Sequence, residues 1–281
     1  MKFLNILLLS ILALTTTNAG VVKRNDNNID INDLFDNNNT ENSSIILNDL
    51  SNAFNSFSNN IVSWFYSIAN YYQATANALT YMESQGNVTV TEDSTAYRFD
   101  GPGTDKALIF YQGAKVDERA YAEIMYNLAE MGIDCFLVKM PLRIAILGIN
   151  KASTIINHYR NDYENWYIAG HSLGGAVAAM YAADHKNDID GLALLAAYST
   201  KQLPEDMKVI SLVASNDEVL NWTSYNNNLS KLPSNTTEIT IEGGNHAQFG
   251  DYGAQSGDGV ATISMEEQHE IVIGAILNEF N

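Results

Sequence analysis

Cysteine is almost missing from this chain: Cys135 stands alone among 281 residues, which excludes internal disulfides and any metal site built from cysteines. It sits in the apolar run Cys-Phe-Leu-Val, the setting of an inert core thiol. Basic residues are scarce as well. Fifteen lysines and arginines face 33 acidic residues, so the formal charge is −18 and the pI near 4.4. Such a surface repels phosphate backbones and anionic headgroups, and nucleic acid is not an expected partner. The apolar stretch Phe3–Leu14 falls short of the roughly 18 residues a spanning helix needs, so stable membrane insertion is not expected. What is present is enough apolar material for one large core, with 46% hydrophobic and 17% charged residues.

The chain divides by composition. Lys2, the apolar stretch and the small-residue site Thr17-Asn18-Ala19 have the pattern of a signal peptide over residues 1–19, which implies secretion after cleavage. Six Asn-x-Ser/Thr sequons, at Asn38, Asn42, Asn87, Asn221, Asn228 and Asn235, are compatible with a glycoprotein. Lys23-Arg24 fits a dibasic processing site. Residues 20–44 are mainly Asn, Asp, Ser and Thr, and carry too little apolar area to offset the entropy of ordering, so disorder is expected. Asp26, Asn28 and Asp30 have the spacing of a calcium loop, but Ile31 replaces its glycine and Asn37 its bidentate acid. Over 45–86, Leu50, Phe54, Phe57, Ile61, Trp64, Ile68 and Tyr71 recur at spacings of three and four, predicting one or two amphipathic helices that pack on the main domain.

From residue 87 to 281, strand-like and helix-like patterns alternate. Val88–Thr91, Tyr97–Phe99, Ala107–Tyr111, Cys135–Val138, Trp166–Ala169, Leu192–Ala196, Val209–Ala214 and Glu238–Ile241 read as strands. Helices are expected at about Arg119–Met131, Ala145–Tyr159, Leu173–His185 and Glu266–Phe280. Buried apolar strands separated by crossover helices predict an α/β fold, a doubly wound and mostly parallel sheet of about eight strands.

The most informative motif is Gly170-His171-Ser172-Leu173-Gly174-Gly175, because a strand pattern precedes it and an alanine-rich helix pattern follows it. A serine on that sharp turn is a nucleophile elbow, with its hydroxyl at the carboxyl edge of the sheet. Serine is a weak nucleophile at neutral pH and needs a base, which in turn needs a carboxylate to orient it. In the order Ser, acid, His, the candidates for the base are His246 and His269. His246 lies in the glycine-rich loop Gly243–Gly250 after the last strand, whereas His269 lies inside a helix pattern where an exposed or half-packed histidine is ordinary. His246 is therefore the expected base. Asp217, just past Val209–Ala214, is the expected acid, with Glu218 as runner-up; Asp188 and Asp190 precede a strand and belong to the opposite edge. The oxyanion hole is expected from the N–H of Leu173 and, after the Ala107–Tyr111 strand, that of Ala114, with Gly113 next.

Four separated motifs, Tyr111–Asp117, Met140–Leu142, Gly170–Gly175 and Gly243–Gly253, together resemble the α/β-hydrolase superfamily, in particular compact members related to dienelactone hydrolases. The resemblance spans about Ala76 to the C-terminus. It implies a carboxylic ester hydrolase working through an acyl-enzyme, with a small-molecule ester as partner; thioester or amide cleavage and acyl transfer would use the same triad. A non-catalytic binding protein on the same fold is the reading from another class. Gln112 stands where related sequences carry proline or histidine.

No cofactor and no metal is expected, and the sequence carries no signal for oligomeric state. Only Tyr198–Lys208 separates two strands at the place where this superfamily commonly inserts a lid, too short for an independent cap. The apolar segment Met140–Gly148 is the expected wall of an acyl pocket, unless it is the buried face of the next helix.

Overall fold

A computed structural model describes residues 70–280. The expected signal peptide, the Asn-rich stretch and the aromatic stripe as far as Ile68 lie outside the described residues. Within 70–86 the stripe is not helical. Tyr71 and Tyr72 lie in non-helical backbone, with Tyr72 bridged in parallel to Val116, and the helix that follows is the single short α1 (Ala76–Thr80). Tyr72 donates to the Lys115 carbonyl at 2.8 Å and accepts from Asp117 N–H at 2.8 Å, so strand-like pairing replaces the helix that periodicity suggested.

The sheet has eight strands: β1 (Thr89–Glu92), β2 (Ala96–Asp100), β3 (Lys106–Tyr111), β4 (Asp134–Val138), β5 (Asn165–His171), β6 (Gly191–Leu195), β7 (Lys208–Ala214) and β8 (Thr237–Ile241). Their spatial order is β1-β2-β4-β3-β5-β6-β7-β8. The β1–β2 and β2–β4 pairs are antiparallel and every other pair is parallel, for example Ile109 beside Ile168 and Ala169 beside Ala193. The α/β fold expected from the sequence is the one found.

Alternation along the strands divides the core in two. Leu108 and Phe110 of β3 join Tyr167 and Ala169 of β5 under α2 (Ala122–Glu130) and the C-terminal α6 (Met265–Phe280). Ala107, Ile109 and Tyr111 join Trp166 and Ile168 under α3 (Lys151–Tyr159) and α4 (Leu173–Asp184). Period two in a strand sends successive side chains to opposite faces, so continuous apolar runs are what a sheet covered on both sides requires. The fifth helix in chain order, α5 (Trp222–Asn228), is short and polar and is capped by Asn221, whose side chain accepts from Ser224 N–H at 2.9 Å.

The helix expected over Ala145–Tyr159 is interrupted. A 3₁₀ turn covers Ala145–Gly148 and α3 starts at Lys151. The Tyr111 hydroxyl enters the gap, donating to the Ile149 carbonyl at 2.6 Å and accepting from Ala152 N–H at 3.1 Å. A side chain that takes over backbone hydrogen bonds ends a helix more firmly than local propensity can extend it. Cys135 is fully buried, donates to the Ile133 carbonyl at 3.2 Å, and burial pushes its thiol well up, as suits an inert core residue.

Candidate active site

At the end of β5 the chain reverses into α4 through Ser172, held at φ 52°, ψ −124°. A non-glycine residue with positive φ is strained, and such strain is maintained only where surrounding contacts impose it. Here the Ser172 N–H donates to the Leu195 carbonyl at 2.9 Å, its carbonyl accepts from Ala176 N–H at 3.1 Å, and Gly174 permits the close approach of β3. A Cβ on Gly174 would lie 2.2 Å from the Tyr111 carbonyl oxygen and 2.3 Å from that of Gln112. The first N–H groups of α4 point outward without helical partners and carry its positive end.

Asp217 follows β7 and is buried. One carboxylate oxygen lies 2.7 Å from His246 Nδ1, while the other accepts from the N–H groups of Val219 at 2.8 Å and Leu220 at 2.7 Å. An ionised carboxylate only accepts, so a neutral His246 paired with it carries its proton on Nδ1 and keeps Nε2 as the basic nitrogen. His246 is itself 2% exposed, in the loop after β8. Glu218, the runner-up, is exposed and reaches this region only through its backbone N–H, which donates to Asp258 at 3.3 Å. Asp190 is engaged elsewhere, accepting from Trp166 N–H at 2.8 Å.

Ser172 and His246 line one cavity of about 240 Å³ with Leu173, Ala176, Ala196–Tyr198 and Val219–Asn221. Its walls correct the expectation for Met140–Gly148. Met140 and Ala145 are buried in the core beside α3, Leu142, Ile146 and Leu147 are exposed, and none of them lines this cavity. The twelve residues between β6 and β7 contain no helix and form no cap. A larger cavity of about 390 Å³ lies between the β1–β2 hairpin and α3, lined by Arg98, Phe136, His158 and Tyr159 among others, and holds none of these residues.

The loop after β3 supplies the candidate oxyanion donors, and its hydrogen bonds separate them. Gly113 N–H donates to the Tyr121 hydroxyl at 3.1 Å, Lys115 N–H to the Arg143 carbonyl at 2.9 Å, and Val116 N–H to the Gly113 carbonyl at 3.3 Å. Ala114 is the exposed residue among them, and its N–H enters no such bond. Of the two candidates, the N–H of Gly113 is engaged and that of Ala114 is not.

Three further residues at this site escaped sequence reasoning. Asp258 gathers four backbone donors, those of Glu218 and His246 at 3.3 Å, Gly259 at 2.9 Å and Ala247 at 2.8 Å, and so ties the base's loop to the acid's. Its only sequence signal is an acid between two glycines, Gly257 and Gly259. Tyr121 and His171 are buried beneath the site, 2.8 Å apart from hydroxyl to Nδ1. Away from the site, His269, expected to be half-packed at most, is 1% exposed and bonded through Nδ1 to Glu123 at 2.7 Å. Among the described residues no group of three or more His, Cys, Asp or Glu is placed to hold a metal ion, and no helix is long and apolar enough to cross a membrane.

Solved structures share this architecture at low identity. Est1E from Butyrivibrio proteoclasticus is 15% identical with a TM-score of 0.50, the alignment covering 69% of this chain and 99% of that one. Carboxyl esterase 2 from the mycorrhizal fungus Tuber melanosporum is 11% identical with a TM-score of 0.53, covering 75% and 92%. A dienelactone hydrolase from Anabaena variabilis is 9% identical with a TM-score of 0.52, covering 69% and 99%. Identities this low speak for the fold alone. A search of curated proteins finds no match. The profile of the alpha/beta hydrolase family, however, matches residues 107–270, from β3 through the turn at Ser172 and into the last helix, and this chain therefore belongs to the alpha/beta hydrolase family.

Proposed function

We propose that this protein is a secreted serine hydrolase that cleaves small carboxylic esters through an acyl-enzyme. The observation that carries the proposal is the His246–Asp217 bond of 2.7 Å, whose imidazole shares a cavity with a serine held at positive φ. His246 Nε2 takes the Ser172 proton as Oγ attacks the ester carbonyl, and Asp217 stabilises the imidazolium. The Leu173 and Ala114 N–H groups receive the oxyanion. His246 then hands its proton to the departing alcohol, and a water deprotonated by the same nitrogen releases the acid and restores Ser172.

The cavity supports the small size of the acyl group. At about 240 Å³ it is smaller than the roughly 300–1,000 Å³ of ordinary ligand pockets. Ala176, Ala196, Ala197, Val219 and Leu220 make its lining chiefly apolar. The names of the structural neighbours include a carboxyl esterase and a dienelactone hydrolase, in keeping with ester chemistry. Secretion rests on the sequence of residues 1–19 and the sequons.

A fluorophosphonate probe tests the chemistry directly. Wild-type protein should be labelled once, on Ser172, and Ser172→Ala should be neither labelled nor active on p-nitrophenyl acetate or butyrate. Labelling that persists in Ser172→Ala would overturn the assignment. Activity that climbs steadily to palmitate would overturn the small-acyl reading while leaving the triad intact. Protein recovered from the medium of a secretory host should begin at Gly20 or, after dibasic processing, at Asn25, and an intact Met1 would refute cleavage.

A further inference from the structure

Beneath the proposed triad lies a second set of buried polar contacts that the mechanism above does not use. Tyr121 ends the short 3₁₀ turn Glu118–Tyr121 and is fully buried. Its hydroxyl accepts from Gly113 N–H at 3.1 Å and lies 2.8 Å from His171 Nδ1. His171 immediately precedes Ser172, is 1% exposed, and packs its ring 4.5 Å from that of His246 at 48° and 5.6 Å from that of Phe249. The base's loop also rests on the tyrosine, since a Cβ on Gly250 would come within 2.9 Å of Tyr121 Cε1 and Asp251 N–H donates to the Ala120 carbonyl at 2.7 Å.

The proton of the phenol sets a direction for these hydrogen bonds. Having accepted from Gly113, the phenol would leave its own proton unsatisfied unless it donates to His171 Nδ1. His171 is then neutral, with its proton on Nε2, a buried nitrogen that has no hydrogen-bond partner of its own. Burial, and next the neighbouring His246, hold its pKa well below the usual histidine value. The chain therefore runs from Gly113 N–H to the Tyr121 hydroxyl to His171 Nδ1. The space at Gly113 fits the same arrangement, because a Cβ there would come 2.9 Å from His171 Nδ1 and 3.1 Å from the Tyr121 hydroxyl.

We infer that Tyr121 and His171 are positioning residues that lock the oxyanion loop to the nucleophile elbow, holding the Gly113 peptide so that Ala114 N–H, rather than Gly113 N–H, joins Leu173 N–H in facing the developing oxyanion. The inference rests on the reading of Ser172 as nucleophile. It gives a reason for histidine at 171: a neutral acceptor is needed inside the elbow, one ring away from a base that becomes a cation during turnover. Lysine or arginine there would donate rather than accept and would oppose that cation.

The test is steady-state hydrolysis of p-nitrophenyl butyrate by the full secreted chain, with each variant's active fraction counted by fluorophosphonate titration and its Tm recorded. Tyr121→Phe and His171→Leu should each lower kcat about 10- to 100-fold per titrated site, below the roughly 10²–10³ lost with an oxyanion donor itself, with KM nearly unchanged. His171→Asn, whose amide oxygen can accept from Tyr121 near the place of Nδ1, should stay within about threefold of wild type and rescue what leucine loses. Gly113→Ala should behave like Tyr121→Phe. Wild-type kcat per titrated site in Tyr121→Phe would overturn the inference, as would a loss confined to Tm and active fraction, or equal damage from asparagine and leucine at 171. Should one variant not fold, the remaining substitutions still decide. If wild-type protein neither binds the probe nor turns over esters, the nucleophile reading fails and takes this inference with it; an active, labelled wild type beside an unaffected Tyr121→Phe breaks the inference alone.

Discussion

Two buried histidine–carboxylate pairs stand among the described residues, and they are nearly identical in geometry. His246 meets Asp217 and His269 meets Glu123, each through Nδ1 at 2.7 Å, with both imidazoles almost wholly buried. Their surroundings separate them. His246 lies in the loop after β8 and borders the Ser172 cavity, while His269 is in the first half of α6 and joins that helix to α2, with Tyr81 donating to the far oxygen of Glu123 at 3.3 Å. An oriented imidazole acts as a base only where its second nitrogen can reach a proton worth moving. Without such access the same pair is a structural bond between helices.

Breaking the first pair should give the largest effects. His246→Ala should cut kcat about 10⁴- to 10⁶-fold and Asp217→Asn about 10⁴-fold, measured on a short p-nitrophenyl ester at unchanged fold. Breaking the second should move stability and leave turnover nearly intact: His269→Ala strands a buried carboxylate and should cost about 3 kcal/mol in urea unfolding. If the His269→Ala variant lost turnover and kept its stability, the roles of the two pairs would be reversed.

The second pair should also show in the acid limb of stability. The hydrogen bond and charge of His269 hold Glu123 below the ordinary glutamate value, despite an opposing contribution from burial. As pH falls below about 4.3, the unfolded chain takes up a proton that native Glu123 still refuses, so stability present above that pH is lost. In Glu123→Gln, Tm should be lower at neutral pH and fall less steeply between about pH 4.5 and 3. An unchanged slope would place the acid sensitivity on other carboxylates. The smallest effect should come from Glu218→Gln, within about threefold of wild-type activity, since that side chain is exposed and only its N–H takes part.

The five strands β3 to β7 were legible because a sheet covered on both faces demands nearly uninterrupted apolar runs, which are local in sequence, whereas β1, β2 and β8 are partly exposed and were legible from short β-branched or alternating stretches. Ser172 was legible for a similar reason: the elbow joins strand, turn and helix in one short continuous stretch. Asp217 could be ranked above Glu218 only by its place after β7, and it is burial and the 2.7 Å bond that separate the two in space. The interrupted helix at Ile149–Asn150 was not legible, because the cause is the hydroxyl of Tyr111, on a strand far earlier in the chain. Nor was Asp258, whose four backbone donors come from three separate stretches of chain.

The sequence by itself determined the alternation of strand and helix, the order of nucleophile, acid and base candidates, and the absence of disulfides and of a long insertion before β7. These are properties of neighbours along the chain, where hydrophobic period and turn chemistry act directly. Only the tertiary structure decided which of two histidines borders the same cavity as Ser172, that the N–H of Gly113 is engaged by Tyr121, and that Ala196–Tyr198 and Val219–Asn221, rather than Met140–Gly148, wall the cavity. Each of those depends on atoms brought together from distant elements, where burial and a few ångströms of separation fix the chemistry and residue spacing carries no trace of it.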